Sequence, residues 1–237
     1  MNSTVFTQTD LVRARKVNAP VDIASARITV AKRLFDVLSA SALLLLVAPL
    51  MLVIYLLVRL DGGPAVFAHR RVGQNGRPFD CLKFRSMFTD SATRLEVLLN
   101  TDAGARAEWA RDHKLRHDPR VTPFGRFLRT SSLDELPQLI NIILGDMSVV
   151  GPRPHYVDHD AQFAELDPLY RFRKFLKPGV TGLSQIEGYR GETPTRADVR
   201  VRGYTDLAYL ENWSLVLDLV IVFNTVWHLV RPPKSAY

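Results

Sequence analysis

The longest apolar stretch of the chain runs from Ala40 to Val58, about 19 residues without a charged side chain. A straight helix needs about 20 apolar residues to cross a bilayer, so the stretch is typical of a membrane helix. Pro49 lies at its middle, where it removes a backbone hydrogen bond and favours a bend. Basic residues flank both ends, which suits a segment that enters and leaves by one membrane face. The pattern leaves a re-entrant helix and a spanning helix equally open, with a buried helix of a soluble domain as the third interpretation.

Beyond Asp61 the apolar runs become shorter and alternate with polar residues. Two strand-like runs extend from Val66 to Val72 and from Phe79 to Arg85. Between them lies Asn75-Gly76, a pair that tolerates positive φ and favours a tight turn. The sequence therefore predicts a small β-hairpin.

The second strand of this hairpin carries two cations. In an extended chain Lys83 and Arg85 project from one face, and Leu82 and Phe84 project from the other. Two cations beside an apolar anchor suit a phosphate contact. A solvated strand face explains the same two residues equally well.

Three further helices are predicted from apolar periodicity. Two short amphipathic helices run from Ser91 to Leu99 and from Ala103 to His113. The last one, from Asn212 to Val230, is strongly apolar and has Trp213 and Trp227 near its ends. It fits a helix lying in the membrane interface, and a core helix of the soluble domain is the alternative.

Composition narrows the function classes. At 237 residues the chain is long enough for one ordinary domain and an extra segment. Its net charge of +7 indicates an anionic partner, namely nucleic acid, a phosphorylated ligand or an anionic lipid. The arginines are scattered among apolar runs, which argues against a nucleic-acid binder. Cys81 is the only cysteine, so no intrachain disulfide is expected. Residues 1–25 are polar and irregular and predict a mobile basic tail.

Two adjacent carboxylates, Asp134 and Glu135, lie where a helix is expected to begin. Ser132 and Glu135 have the spacing of a capping box, whereas Pro137 fits better if the helix begins at Leu133 or Asp134. Either register places both carboxylates at the positive end of the helix dipole, which favours their ionised form. Neighbouring helical residues point about 100° apart, so we expect one nucleophile and one partner for metal binding or proton transfer. The alternative is that both only cap the helix.

Basic residues surround this acidic pair along the chain. Arg129 precedes it, and Arg153 follows it between Pro152 and Pro154, which stiffen the chain into an extended turn. A second loop with turn-forming residues runs from Lys177 to Gly182. Neither the Walker spacing nor the dinucleotide glycine pattern occurs, so neither nucleotide fold is supported.

Four motifs occur in order behind the apolar stretch, and together they are highly specific. They are KFRSM from Lys83, RTSSLDELPQ from Arg129, GDMSVVGPRP from Gly145 and KPGVTG from Lys177. On these motifs the chain from Lys32 to Tyr237 resembles the bacterial sugar transferase family, the monotopic phosphoglycosyl transferases that act on polyprenyl phosphate.

The resemblance implies a helix-rich α+β fold with a small β-hairpin. Residues 26–60 would form a re-entrant membrane helix bent at Pro49, and residues 61–237 a cytosolic catalytic domain with interfacial amphipathic helices. The family's bend contains a Ser-Pro pair, and this chain has Ala48-Pro49 instead. The expected location is the cytoplasmic face of a bacterial inner membrane.

The resemblance also implies a two-step reaction. A hexose-1-phosphate would pass from a UDP-sugar to undecaprenyl phosphate, with release of UMP, as the first membrane step of exopolysaccharide or other surface glycan synthesis. Asp134 would be the nucleophile that carries the phosphosugar and a ligand of Mg²⁺, and Glu135 would assist. The candidates for phosphate contacts are Lys83, Arg85, Arg129 and Arg153.

The resemblance also bears on the identity of the sugar. The stretch from Gly188 to Thr193 and the terminal Ser235-Ala236-Tyr237 are similar to members that transfer glucose-1-phosphate. UDP-glucose is therefore the first expectation and UDP-galactose the second. Membrane lipid and a second copy of the chain, forming a homodimer, are further candidate partners, and nucleic acid is not expected. A non-catalytic membrane scaffold and a membrane phosphohydrolase that uses the same aspartate are the alternatives.

Overall fold

The computed structural model describes residues 30–112, 115, 117–189 and 196–230. The predictions for the basic tail 1–25, for His113, for 190–193 and for 235–237 lie outside these residues. In chain order the helices and strands are α1 Val30–Arg59, β1 Val66–Val72, β2 Pro78–Phe84, α2 Ser91–Thr101, α3 Ala103–Asp112, α4 Pro123–Ser131, α5 Gln138–Leu144, β3 Ser148–Val150, α6 Val157–Leu166, β4 Gly179–Thr181, α7 Leu183–Ile186, α8 Arg196–Glu211 and α9 Leu215–Val230. Short 3₁₀ turns occupy Gln74–Gly76, Leu133–Glu135 and Pro168–Phe175.

The hairpin formed by β1 and β2 matches the prediction to within one residue. Asn75 and Gly76 have φ angles of 57° and 75°, in the left-handed region that the turn requires. The paired helices α2 and α3 are also confirmed, with the break between them at Asp102. The helix-rich α+β class follows from these elements together.

Two compact units make up the chain. The acidic-pair unit contains residues 44–69 and 82–137, and the C-terminal unit contains the described parts of 30–43, 70–81 and 138–230. The core of the acidic-pair unit consists of five buried apolar residues, Ile54, Val58, Ala65, Phe84 and Leu128. The end of helix α1 and the end of strand β2 therefore pack in the same core as helix α4.

The core of the C-terminal unit lies between a short parallel strand pair and helices α8 and α9. Strands β3 and β4 pair with Ser148 opposite Gly179 and Val150 opposite Thr181. The sequence predicted a loop from Lys177 to Gly182, which is wrong at Gly179–Thr181, and it predicted no strand at Ser148–Val150. The two backbones approach closely at Gly151. A Cβ atom at this position would lie 2.3 Å from the Lys177 carbonyl oxygen, so a side chain would not fit.

Helix α1 is 30 residues long and continuous through Pro49. It is the one described helix that is long and apolar enough to cross a membrane, and only 11% of its most apolar window is buried. The interpretation as a buried helix of a soluble domain is therefore wrong. Its first turns bury Lys32, Asp36 and Ala40, and its last turns bury Ile54 and Val58.

Helix α9 has two different faces. Asp218 and Ile221 are fully buried on one face. The other face exposes an apolar stripe that includes Val216, Leu219 and Phe223, which are 69%, 55% and 70% exposed. The buried face agrees with the interpretation as a core helix. The exposed stripe has the pattern of an interfacial helix, and that interpretation stays a prediction.

Candidate active site

The acidic pair lies in the 3₁₀ turn Leu133–Glu135, between helices α4 and α5. Helix α4 ends at Ser131, and the residue after it, Ser132, has a left-handed φ of 59°. In that conformation the Ser132 side chain makes no cap hydrogen bond, and α5 begins only at Gln138, directly after Pro137. The predicted capping box is therefore wrong. The predicted helix start at Leu133 is confirmed only for the 3₁₀ turn, which holds both carboxylates, because the α-helix begins at Gln138. The pair precedes the helix by three or four residues.

The two carboxylates have different surroundings, as expected for neighbouring residues whose side chains point in different directions. Asp134 is buried, with 9% of its surface exposed. Glu135 accepts a hydrogen bond from the ammonium of Lys83 at 2.6 Å, and the two side chains are 12% and 16% exposed. Strand β2 therefore supplies the cation for one carboxylate of the pair.

Arg129 provides an exposed cation near the end of helix α4. Its Nε donates to the hydroxyl of Ser86 at 2.8 Å. Helix α4 lies directly against the backbone at Ser86. A Cβ atom on Gly125 would lie 1.9 Å from the Ser86 carbonyl oxygen, so a side chain would not fit there. The Thr122 hydroxyl caps the helix by accepting from the Gly125 amide at 2.8 Å. The guanidinium of Arg129 is thus anchored at its Nε.

A second charged pair lies just before helix α4. Both carboxylate oxygens of Asp118 accept from the guanidinium of Arg120, at distances of 2.7 to 3.1 Å. Burial raises the pKa of Asp118, but the hydrogen bonds from Arg120 and the nearby charge of Arg129 bring it below its usual value. Arg120 is therefore engaged, which leaves Arg129 as the more available cation of the two.

Arg85 binds groups at the end of helix α1, and not the acidic pair. Its Nη2 donates to the Val58 carbonyl oxygen at 2.7 Å and to the carboxylate of Asp61. Lys83 and Arg85 extend from the same strand end, as predicted, but they bind different partners. The predicted phosphate contact of Arg85 stays a prediction.

Arg153 belongs to the C-terminal unit, where it is half-buried. Its carbonyl oxygen accepts a hydrogen bond from Arg173, and the Pro154 carbonyl oxygen accepts from Arg71 at 3.5 Å. The extended turn around Arg153 is thus held by two other arginines. Its predicted phosphate contact stays a prediction.

His155 follows this turn and is almost completely buried. Arg202 approaches its Nε2 at 3.1 Å, and the Tyr170 hydroxyl faces its Nδ1. The guanidinium of Arg173 also approaches Nδ1, at 2.9 Å, so cations face both ring nitrogens. Burial, followed by the charges of Arg173 and Arg202, holds the pKa of His155 well below its usual value.

The residues of the acidic pair are compatible with Mg²⁺. Within the part of the chain that the structure describes, no group of three or more His, Cys, Asp or Glu residues could hold a metal ion. Mg²⁺ is commonly bound through only one or two carboxylates, with substrate phosphates and water completing the shell. Asp134 fits that mode of binding, because the other carboxylate, Glu135, is already paired with Lys83. The metal site stays a prediction.

A family model described as "Bacterial sugar transferase" matches residues 27–232. The chain belongs to the bacterial sugar transferase family.

Relatives of this bacterial sugar transferase agree over the same region. The exopolysaccharide production protein ExoY of Rhizobium meliloti is 48% identical over 199 residues, 83% of this chain and 84% of ExoY. The undecaprenyl-phosphate galactose phosphotransferase of Salmonella typhimurium is 44% identical over 200 residues, 84% of this chain and 40% of that protein. The UDP-glucose:undecaprenyl-phosphate glucose-1-phosphate transferase of Escherichia coli K12 is 43% identical over 197 residues, 83% of this chain and 39% of that protein. The chain spans about two fifths of the length of the latter two relatives.

Sequence reasoning on this bacterial sugar transferase missed several partners of its charged residues. Asp61 was noted only as the point where the apolar stretch ends, yet it binds Arg85. Asp218 interrupts the last apolar run of the sequence, yet it is fully buried and binds Lys32 at 2.8 Å. A charged residue inside an apolar run is rarely buried without a partner, so this signal could have pointed to Asp218.

Proposed function

We propose that the chain transfers a hexose-1-phosphate from a UDP-sugar to undecaprenyl phosphate and releases UMP. The observation that carries the proposal is the acidic turn. A buried aspartate lies beside a carboxylate–ammonium pair and within one unit with an exposed guanidinium, in a member of the bacterial sugar transferase family. One reactive carboxylate among phosphate-binding cations is what phosphoryl transfer through a covalent intermediate requires.

In the first step a carboxylate oxygen of Asp134 attacks the β-phosphorus of the UDP-sugar. The bond from that phosphorus to the bridging oxygen breaks, and UMP leaves with the electron pair. The sugar phosphate is then attached to Asp134 as an acyl phosphate. In the second step a phosphate oxygen of undecaprenyl phosphate attacks the same phosphorus and releases the Asp134 carboxylate, so the enzyme is regenerated.

The neighbouring residues bind and orient the phosphates in this scheme. Arg129 donates its terminal N–H groups to the diphosphate oxygens, and its Nε stays on Ser86. Lys83 neutralises Glu135, which lowers the repulsion between that carboxylate and the incoming anions. When bound at Asp134, Mg²⁺ supplies further neutralisation of the diphosphate charge.

We propose a re-entrant topology for helix α1, on the cytoplasmic face of the inner membrane. Residues 41–53, 13 in number, have no buried side chain, and at 1.5 Å per residue they extend about 20 Å. The hydrocarbon core of a bilayer is about 30 Å thick. The stretch without a buried side chain is therefore shorter than a full crossing.

Glucose is the first sugar that we propose, and galactose the second. The relatives are named for transfer of glucose-1-phosphate in Escherichia coli and of galactose in Salmonella typhimurium. ExoY is named for exopolysaccharide production. On this proposal the chain starts the lipid-linked assembly of an exopolysaccharide or another surface glycan.

The test is a panel of UDP-sugars with Mg²⁺ and undecaprenyl phosphate, read by UMP release from the full chain in vesicles. We expect UMP release with one of the UDP-hexoses. Without undecaprenyl phosphate, UMP release should stop after the first turnover. Asp134→Asn is expected to lower turnover by at least about 10³-fold, because the amide cannot carry the phosphosugar. Asp80→Asn, which removes an exposed ion pair to Arg70, is the matched control and is expected to keep full turnover.

Two outcomes would contradict the proposal. Steady release of free sugar phosphate in the absence of undecaprenyl phosphate would indicate a membrane phosphohydrolase. No UMP with any UDP-sugar from folded protein would favour a non-catalytic scaffold.

A further inference from the structure

The guanidinium of Arg85 is enclosed by protein. Its side chain is 10% exposed, and a Cβ atom on Gly63 would lie 1.8 Å from its Nη1. Its Nε and Nη1 are buried and make no hydrogen bond. The loop after helix α1 therefore closes over the guanidinium.

The partners of Arg85 belong to the end of helix α1. The Val58 carbonyl oxygen, which accepts from Nη2 at 2.7 Å, is one of the last four carbonyls of the helix and has no partner within it. Asp61 follows the helix directly and binds the same nitrogen. The Arg85 amide also donates to the Ala65 carbonyl oxygen at 2.8 Å. Arg85 thus caps the end of the membrane helix and holds the loop that follows it.

The same strand end contacts the acidic turn. Lys83, two residues before Arg85, binds Glu135 at 2.6 Å. Leu133 and Leu136, which flank the acidic pair, pack against the core that contains Val58 of helix α1. A polar clamp and an apolar core therefore connect the end of the membrane helix to the turn that carries Asp134.

We infer that Arg85, together with Asp61, is a positioning pair that fixes the depth of Asp134 relative to the membrane surface. This inference rests on the proposed function. The two substrates differ in how they depend on depth: a UDP-sugar diffuses in water, whereas the phosphate of a polyprenyl phosphate is held at the headgroup level. Loosening the clamp should therefore impair transfer to the lipid acceptor more than the first step.

The test compares the two half-reactions in Asp61→Asn, Arg85→Lys and Arg85→Gln, with the full chain in vesicles of phosphatidylethanolamine and phosphatidylglycerol. We expect each variant to lower transfer to undecaprenyl phosphate by about 10- to 100-fold, the effect of a misplacement of about 1 Å. The single-turnover burst of UMP without acceptor should stay close to that of the wild type. Asp80→Asn, which removes the exposed Arg70–Asp80 pair of the same hairpin, is the control and should change neither step.

A short, water-soluble prenyl phosphate provides a readout that a merely structural defect would not move. Because its phosphate is not held at a fixed depth, the variants should transfer to it at nearly the wild-type rate. An equal loss with both acceptors would overturn the inference.

Two further results would also overturn it. If Arg85 contacts a phosphate directly, Asp61→Asn will keep both steps while Arg85→Lys and Arg85→Gln will lower the UMP burst. If the two residues act separately, the losses of Asp61→Asn and Arg85→Gln will multiply in the double variant, whereas a pair gives little further loss. A failure of the proposed function is distinct, because the wild type itself would then release no UMP.

Discussion

Two lysine–carboxylate pairs of nearly equal length have opposite settings in this molecule. In the acidic-pair unit, Lys83 and Glu135 are 2.6 Å apart and 16% and 12% exposed. In the C-terminal unit, Lys32 and Asp218 are 2.8 Å apart and 7% and 0% exposed. The distance between the charges therefore does not separate a site pair from a structural pair. Their remaining accessibility to solvent does.

The Lys32–Asp218 pair is sealed from solvent, and the described partners of this sealed pair are all protein groups. Asp218 also accepts from the Tyr209 hydroxyl at 2.7 Å and from the indole nitrogen of Trp213 at 3.2 Å. Asp36, one turn after Lys32, accepts from the Ser148 hydroxyl and the Val149 amide. Every described charge of this network is satisfied without a ligand, which is the condition for a buried charge to persist. The pair at Glu135 lies instead beside Asp134 and keeps some access to solvent.

The largest effect on stability is expected at the sealed pair. Lys32→Met leaves the buried Asp218 carboxylate without its cation, so the free energy of unfolding should fall by about 3 to 5 kcal/mol. Denaturant unfolding of the full chain in detergent measures this loss, and turnover per folded molecule should be unchanged. If Lys32→Met lowered turnover of folded protein while the unfolding free energy held, the contrast between the two pairs would be wrong.

The effect expected at the Lys83–Glu135 pair, the site pair, is smaller, and it concerns activity rather than stability. Lys83→Met leaves Glu135 as an uncompensated anion beside the incoming phosphates, so turnover should fall by about 10²-fold. Lys83→Arg keeps the charge and should recover part of the rate. The measurement is steady-state UMP release, with unfolding followed in parallel. Unchanged turnover in Lys83→Met would remove this pair from the site.

The smallest effect is a pH dependence of stability from His155 in the C-terminal unit. Its pKa is lowered in the folded protein, so the unfolded chain takes up the proton first as the pH falls. The contribution is complete above the unfolded pKa of about 6.5 and is lost as the pH falls from there toward the folded pKa. One proton limits the slope to about 1.4 kcal/mol per pH unit.

His155→Gln should flatten the unfolding free energy over this acid range, relative to the wild type. His117, which is exposed, is the matched position, and His117→Gln should leave the slope as it is. Equal slopes in the wild type and in His155→Gln would mean that other groups produce the pH dependence.

Local chemistry explains which parts of the fold were predictable. The hairpin follows from Asn75-Gly76, whose positive φ values are an intrinsic preference. The predicted capping box was wrong because Ser132 is left-handed. Local preference disfavours this conformation, so packing around the turn must impose it. Strands β3 and β4 have only three residues each, too few for a periodic pattern.

The candidate site divides in the same way. Asp134 and Glu135 were identified because their motif resembles a family, and periodicity alone could not have chosen them over a helix cap. The partners of the basic residues could not be predicted. Arg85 and Asp61 are separated by 24 positions, and Lys32 and Asp218 by 186. Such pairings depend on the tertiary fold, for which a single sequence carries no local signal.

The close approach of strands β3 and β4 has a consequence for genetic screens. A Cβ atom on Gly179 would lie 2.1 Å from the Gly151 amide nitrogen, and one on Gly182 would lie 2.2 Å from the Gly151 carbonyl oxygen. A replacement at any of these three glycines must push backbone against backbone. A screen that scores only glycan production would rank them with Asp134, although their defect would be in accumulation of the folded protein. Immunoblotting of each loss-of-function clone would separate the two groups.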